Sequence, residues 1–188
     1  FLGDLADRGP DSPGVICRVQ ERMALGAQCV MGNHELSVIR GKDKQYNRWF
    51  FTEGGDWKPK EPEEIKGQIV PMKPLSASER DDVSAFFASL PLALERDDLR
   101  IVHACWDPAS IAHIRVSSRS ALEIFDSSPK NPLKEPEANK TPGGDGPKTR
   151  DEAWETQEML QQNENPIAVL TSGKERPVAR SRREYGLV

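Results

Sequence analysis

Cysteine is scarce in this 188-residue chain. Cys17, Cys29 and Cys105 show no metal-binding spacing, and an odd count excludes a complete disulfide framework. A reducing cytoplasm is therefore the expected setting. Histidine is equally rare, with only His34, His103 and His113, so any imidazole chemistry must fall to one of three positions. No apolar run approaches the length of a bilayer-spanning helix, which argues against a membrane role. There is no basic excess either. The net charge is -4, and neither a basic patch nor a basic helix stands out, which disfavours general nucleic-acid and membrane-surface binding. Hydrophobic residues make up only 36% of the chain, so part of it is expected to lie outside the packed core. The length itself suits one domain with a real core.

The informative stretch is the opening. Phe1–Leu2–Gly3 reads as the end of a buried strand, delivering Asp4 into a loop that also holds Asp7 and Arg8. Ser12 and Pro13 start a helix whose apolar face is Ile16, Val19 and Met23, and Gly26 stops it. Ala27–Met31 returns as a strand, giving a βαβ unit with an expected right-handed parallel crossover. That strand ends on Gly32–Asn33–His34–Glu35, which opens a second helix ending near Gly41. Ser76 and Glu79 form a capping box ahead of the stripe Val83, Phe86, Phe87 and Leu90. Leu92–Leu94 and Leu99–Ala104 read as two strands, the second ending on His103. Short helices are expected at Pro108–Ile114 and Ser120–Phe125, a longer one at Asp151–Gln162, and a strand or extended segment at Pro166–Leu170.

Two regions carry no such signal. Residues 42–74 read as an insertion, its aromatics Tyr46, Trp49, Phe50, Phe51 and Trp57 serving either to cover the site or to anchor a surface excursion. Residues 115–165 are the second insertion. Within it, 126–150 contains five prolines and three glycines and is expected to be a disordered loop, because it cannot bury enough apolar surface to offset ordering entropy. The basic tail Arg176–Arg183 reads as solvated surface and not as a phosphate site.

Three strand ends thus deliver Asp4, Asn33 and His103, all metal-ligand types, to the edge where α/β sheets place their ligands. A carboxylate such as Asp4 can bridge two ions held roughly 3.5–4 Å apart. Asn33 offers a carbonyl oxygen and His103 an imidazole nitrogen, a mix suited to Mn, Fe or Zn rather than Ca or Mg. Arg8 presents a planar fork to phosphoryl oxygens. His34 is the natural acid for a leaving alkoxide, and Asp7 is the carboxylate expected to fix its tautomer and favour its protonated form. Chance would produce Gly-Asp-x-x-Asp-Arg-Gly on the order of once in ten thousand chains of this length at average composition, so the pattern is informative.

Gly3–Gly9 followed by Gly32–Glu35 resembles the signature of the calcineurin-like metallophosphoesterases, within them the phosphoprotein phosphatase group with its bacterial serine/threonine phosphatase and diadenosine tetraphosphatase branches. Val102–Trp106 resembles that group's later histidine motif. The resemblance implies an α/β fold in which a β-sandwich is flanked by helices (α/β/β/α). It implies two divalent metal ions, Mn first with Fe or Zn as alternatives, with Asp4 bridging them and Asn33 and His103 on the second. Arg8 would bind phosphate, His34 assisted by Asp7 would be the general acid, and Arg8, Asn33 and His34 would face the substrate. Expected partners are a phosphorylated protein or a small phosphoester, not nucleic acid or membrane. The expected activity is phosphomonoester hydrolysis, first as a serine/threonine protein phosphatase. Dinucleoside polyphosphate hydrolysis is the alternative within catalysis, and a non-catalytic phosphate-binding module the alternative outside it. The family's Asp-x-His motif would precede Phe1, and its late Gly-His motif is not found after His103, where His113 sits in an unsuitable context. A fragment cut at both ends, inactive alone, is the corresponding expectation. With no Met at the start, a signal peptide could have preceded it.

Overall fold

The computed structural model describes residues 1–7, 9, 11–52, 64–65, 68–69, 75–128 and 150–176. Arg8, most of the 126–150 segment, residues 53–63 of the first insertion and the tail from 177 lie outside the described residues.

The chain opens in extended form and then enters helix α1 (Ser12–Ala24). Its N-cap is Asp11, whose carboxylate accepts from Gly14 N at 2.9 Å; Ser12, expected as the cap, is instead the first helical residue. The shift frees the Ser12 hydroxyl to accept the Asp7 N–H at 3.0 Å, which fastens the loop to the helix start. Ile16 and Val19 are buried and Met23 packs against the same core, while Arg18 pairs with Glu21 in solvent. Leu25 caps the end and Gly26 takes φ +96°, the left-handed position that favours glycine after a helix.

Residues 27–31 are extended but form no regular strand, and neither do residues 1–3. The backbone nevertheless pairs them. The Phe1 amine donates to Gln28 O at 2.7 Å, and Phe1 O accepts from Val30 N at 3.2 Å. Those two bonds straddle Cys29 in the pattern of a parallel pair. On its other side, Met31 N donates to Pro91 O at 2.9 Å. Cys29, Val30 and Met31 are wholly buried, so this segment runs through the core with extended chain on both sides.

Helix α2 (Asn33–Ile39) follows at once, then a 3-10 turn at Gln45–Asn47 and helix α3 (Arg48–Phe51). A two-residue hairpin pairs β1 (Glu64–Ile65) with β2 (Gln68–Ile69). Helix α4 (Ala77–Ser89) begins in the expected box, with Ser76 N donating to Glu79 Oε2 at 2.8 Å, and buries Val83 and Phe87 against α2. Strands β3 (Ala93–Arg96) and β4 (Leu99–Val102) form an antiparallel hairpin in register Ala93 to Val102, turning at Asp97–Asp98. Helices α5 (Pro108–Arg115), α6 (Ala121–Ser127) and α7 (Arg150–Glu164) come next.

Residues 166–170, expected as a strand or extended segment, are helical: α8 spans Pro166–Ser172. Asn165 decides this, its Oδ1 accepting from Ile167 N at 3.0 Å and Ala168 N at 3.2 Å, with Pro166 suited to the first turn. Ile167 through Thr171 are buried without a break, because α2, α5, α6 and α7 surround this one helix. An all-round apolar run of that length has no period from which helix and strand can be told apart.

Candidate functional site

Two loops meet beneath α2. One is Gly3–Asp7, the other the turn at Gly32. Gly3 takes φ +79°, and a Cβ placed there would lie 2.5 Å from Gly32 N. A Cβ on Gly32 would in turn lie 2.5 Å from Asp4 Oδ1 and 2.7 Å from Asp4 N. Only the absence of side chains at both positions lets the loops touch. Asp4 and Asp7 hold φ +52° and +83°, the left-handed region that costs an L-residue energy. Strain of this kind persists where surrounding contacts over-determine it, and it concentrates at functional sites.

The over-determining group is Glu35. Its side chain is fully buried and accepts three backbone N–H groups: Gly32 at 2.8 Å, Asp4 at 2.9 Å and Leu5 at 2.8 Å. Burial pushes its carboxyl pKa up, against the pull of those three donors. The Gly-Asn-His-Glu run includes Glu35, but its role as a clamp was not read from sequence. The available signal was its place three residues after the helix cap, where a Glu reaches back to the cap N–H.

Asp7 and His34 come together. His34 Nδ1 donates to Asp7 Oδ2 at 2.6 Å, both side chains being almost wholly buried. The second carboxylate oxygen, Oδ1, accepts from Trp49 Nε1 at 2.7 Å, and Asp7 N donates to Ser12. Every side-chain oxygen of this buried aspartate is satisfied. Trp49 is itself completely buried, so the first insertion reaches under the site through α3. Tyr46 leans on His34 with ring centroids 5.1 Å apart. Trp49 and Tyr46 were visible in the sequence only as unplaced aromatics.

His34 Nε2 faces Asp4 Oδ2 at 3.9 Å, and the His34 N–H points to Asp4 Oδ1 at 3.4 Å. From the other side His103, just past β4, brings Nε2 within 3.3 Å of Asp4 Oδ1. Its Nδ1 hydrogen-bonds the Leu2 carbonyl, which fixes the ring and turns Nε2 toward the carboxylate. A metal-binding histidine is oriented in that manner, with the spare nitrogen tied to a carbonyl. Asp4 is part-exposed, so this pair opens to solvent.

The third expected ligand, Asn33, sits at the first position of α2. Among the described residues its side chain makes no hydrogen bond to Asp4 or His103; it lines a cavity on the adjoining face of the helix. No group of three or more His, Cys, Asp or Glu side chains converges to hold an ion among the described residues. Asp4 and His103 thus fit an ion as two donors of a shell, not as a full one. Asp107, near the histidine motif, is structural. It caps α5 by accepting from Ser110 N at 2.9 Å and pairs with Lys174 at 2.6 Å, and these bonds lower its pKa to about 2. His113 falls exposed in the last turn of α5.

The arrangement is a solvent-facing carboxylate flanked by two imidazoles, one backed by a buried carboxylate and one by a carbonyl. It can hold a cation or proton at Asp4 and deliver a proton from His34. Comparison with known proteins gives a partial likeness. Over 56 residues, 30% of this chain, the sequence is 36% identical to the serine/threonine-protein phosphatase 1 of Salmonella typhimurium (strain LT2). The matched part is 24% of that protein's length, so the chain spans about a quarter of it. No protein-family model matches the chain, and no solved structure does. The likeness is thus partial, and it is to a phosphatase.

Proposed function

We propose that this chain carries part of the active site of a metal-dependent phosphoesterase, acting on phosphoserine or phosphothreonine in proteins. The observation that carries the reading is the contact of His34 with buried Asp7 at 2.6 Å beside an Asp4 that His103 approaches at 3.3 Å. The partial similarity to a bacterial protein phosphatase adds to it.

In this reading Asp4 and His103 would hold divalent ions, Mn first and Fe or Zn next, and Asn33 would join them by turning its side chain out of the cavity beside α2. Such ions, when bound, acidify a water and neutralise phosphoryl oxygens. The rest falls to the chain's own groups. Asp7 anchors Nδ1 of His34, which leaves Nε2 as the atom that gives a proton to the departing oxygen. Trp49 and Ser12 hold Asp7 so that it cannot turn away from the ring. Arg8, in the same loop, is assigned to the phosphoryl oxygens. The layered α/β/β/α sandwich and a reducing, cytoplasmic setting complete the proposal; unpaired Cys17, Cys29 and Cys105 support the latter. Among the described residues no helix is long and apolar enough to cross a membrane.

Hydrolysis of p-nitrophenyl phosphate, followed with and without added Mn, tests the reading. Metal-stimulated turnover is expected from a complete active site that contains this segment and little from the segment alone. Asp4→Asn in the complete site should remove bound metal and turnover together. Near-normal turnover in that variant would refute the assignment of Asp4.

A further inference from the structure

Against the outer face of α2 lies a cavity of about 580 Å3. Asn33, Ser37 and Arg40 line it from one side of that helix, and Lys42 and Lys44 follow from the turn beyond. Three cations therefore share a wall, with Glu158 of α7 as the carboxylate facing them. Arg40 sits over the Phe125 ring, its guanidinium carbon 3.7 Å from the centroid, and its Nε is buried without a hydrogen-bond partner among the described residues. Among the described residues Lys44 reaches the Ser37 hydroxyl, at 3.4 Å, and the Tyr46 ring, at 5.5 Å. One buried donor without an acceptor among the described residues, and three cations against the single lining carboxylate Glu158 with Asp126 acting on Arg40, leave a cationic excess that complements an acceptor-rich anion.

We propose that this cavity is an anion subsite, taking an acidic side chain of a phosphopeptide whose phosphate lies at the Asp4–His103 loops. The phosphate end of this assignment rests on the phosphoesterase reading above. The two places adjoin, since Asn33 and His34 are consecutive and Tyr46 stands between His34 and Lys44. Two or three residues of extended peptide reach about 7–10 Å, the scale on which neighbouring side chains of α2 adjoin. A nucleotide is the poorer occupant because a base needs an aromatic face, and the face of Phe125 is covered by Arg40. The far wall is already committed: Asn165 spends its amide on α8 and on Phe125 O, and Gln162 on Glu175.

The test is fluorescence anisotropy with two labelled phosphoserine peptides, one carrying Glu two residues from the phosphoserine and the other Gln there. The Glu peptide should bind about tenfold tighter at low salt, as a charge-assisted contact would allow. Lys42→Ala with Lys44→Ala should abolish that preference and leave the Gln peptide unchanged, while Lys→Arg at both sites should keep it. Equal binding of the two peptides, or a preference that survives the double alanine change, overturns the subsite. Turnover of p-nitrophenyl phosphate, which has no second anion, separates the two claims. Turnover with equal peptide binding refutes the subsite alone. If turnover is absent, an unphosphorylated Glu peptide decides: binding lost in the double alanine variant upholds the anion site, and unchanged binding refutes it.

Discussion

His34 touches three groups of different character: the Asp7 carboxylate, the Tyr46 ring and, more distantly, Asp4. An imidazole so fixed can present only one nitrogen outward. His34→Asn should lower turnover by about 10²–10⁴-fold, the range for loss of a general acid, with metal content unchanged by elemental analysis. Lost metal would instead mean that the ring is a ligand. Gly32 is a second decisive position, because its missing side chain lets the Asp4 loop close against it. Gly32→Ala would drive a methyl into the Asp4 carboxylate and backbone, so a loss of about 1–3 kcal/mol is expected from urea unfolding. Unchanged stability would show that the two loops can separate without cost.

At the level of elements, α3 is a four-residue helix whose importance lies in where it puts one indole. Trp49→Phe keeps most of the buried ring but leaves Asp7 Oδ1 unsatisfied, a cost of about 1–3 kcal/mol. Turnover should fall as well, because Asp7 gains freedom to leave His34; stability lost with turnover intact would mean that Ser12 alone holds it. The sequence displayed some of these elements well. Capping boxes and a 3.6 period made α4 legible, and Pro108 and Ser120 marked α5 and α6 to within two residues. Gly3, Asp4, Asp7, Gly32 and His34 were legible because two short motifs hold them, the glycines at positions where tight turns and close backbone approach demand them. Trp49 was not, since its partner stands 42 positions away and no period connects them. For the same reason α8 was misread: its type is set by four surrounding helices and by one asparagine cap, and not by its own pattern.

Across the molecule, α5 and the chain beyond α8 are joined by the Asp107–Lys174 pair, 67 residues apart in sequence. Asp107's depressed pKa gives this joint a pH signature. A carboxyl that titrates at about 2 when folded and about 3.9 when unfolded adds stability above pH 4, and that stability disappears as pH falls from about 4 to about 2. Asp107→Asn should therefore be less stable than the parent at pH 7, with the gap closing toward pH 2 in denaturant midpoints. A gap that stays constant with pH would assign the effect to the helix cap alone.

Glu35 has a consequence of another kind. One carboxylate gathers backbone amides from Asp4, Leu5 and Gly32, so it works as a reversible staple between stretches of chain some thirty positions apart. The Gly3–Asp7 loop has no reason to hold its positive-φ turn before the staple closes, and the staple has no purchase until both stretches have arrived. Asp4 and His34 take their mutual spacing from it, and His103 joins them through its bond to the Leu2 carbonyl. A partly folded chain would own the same residues with no shared centre among them.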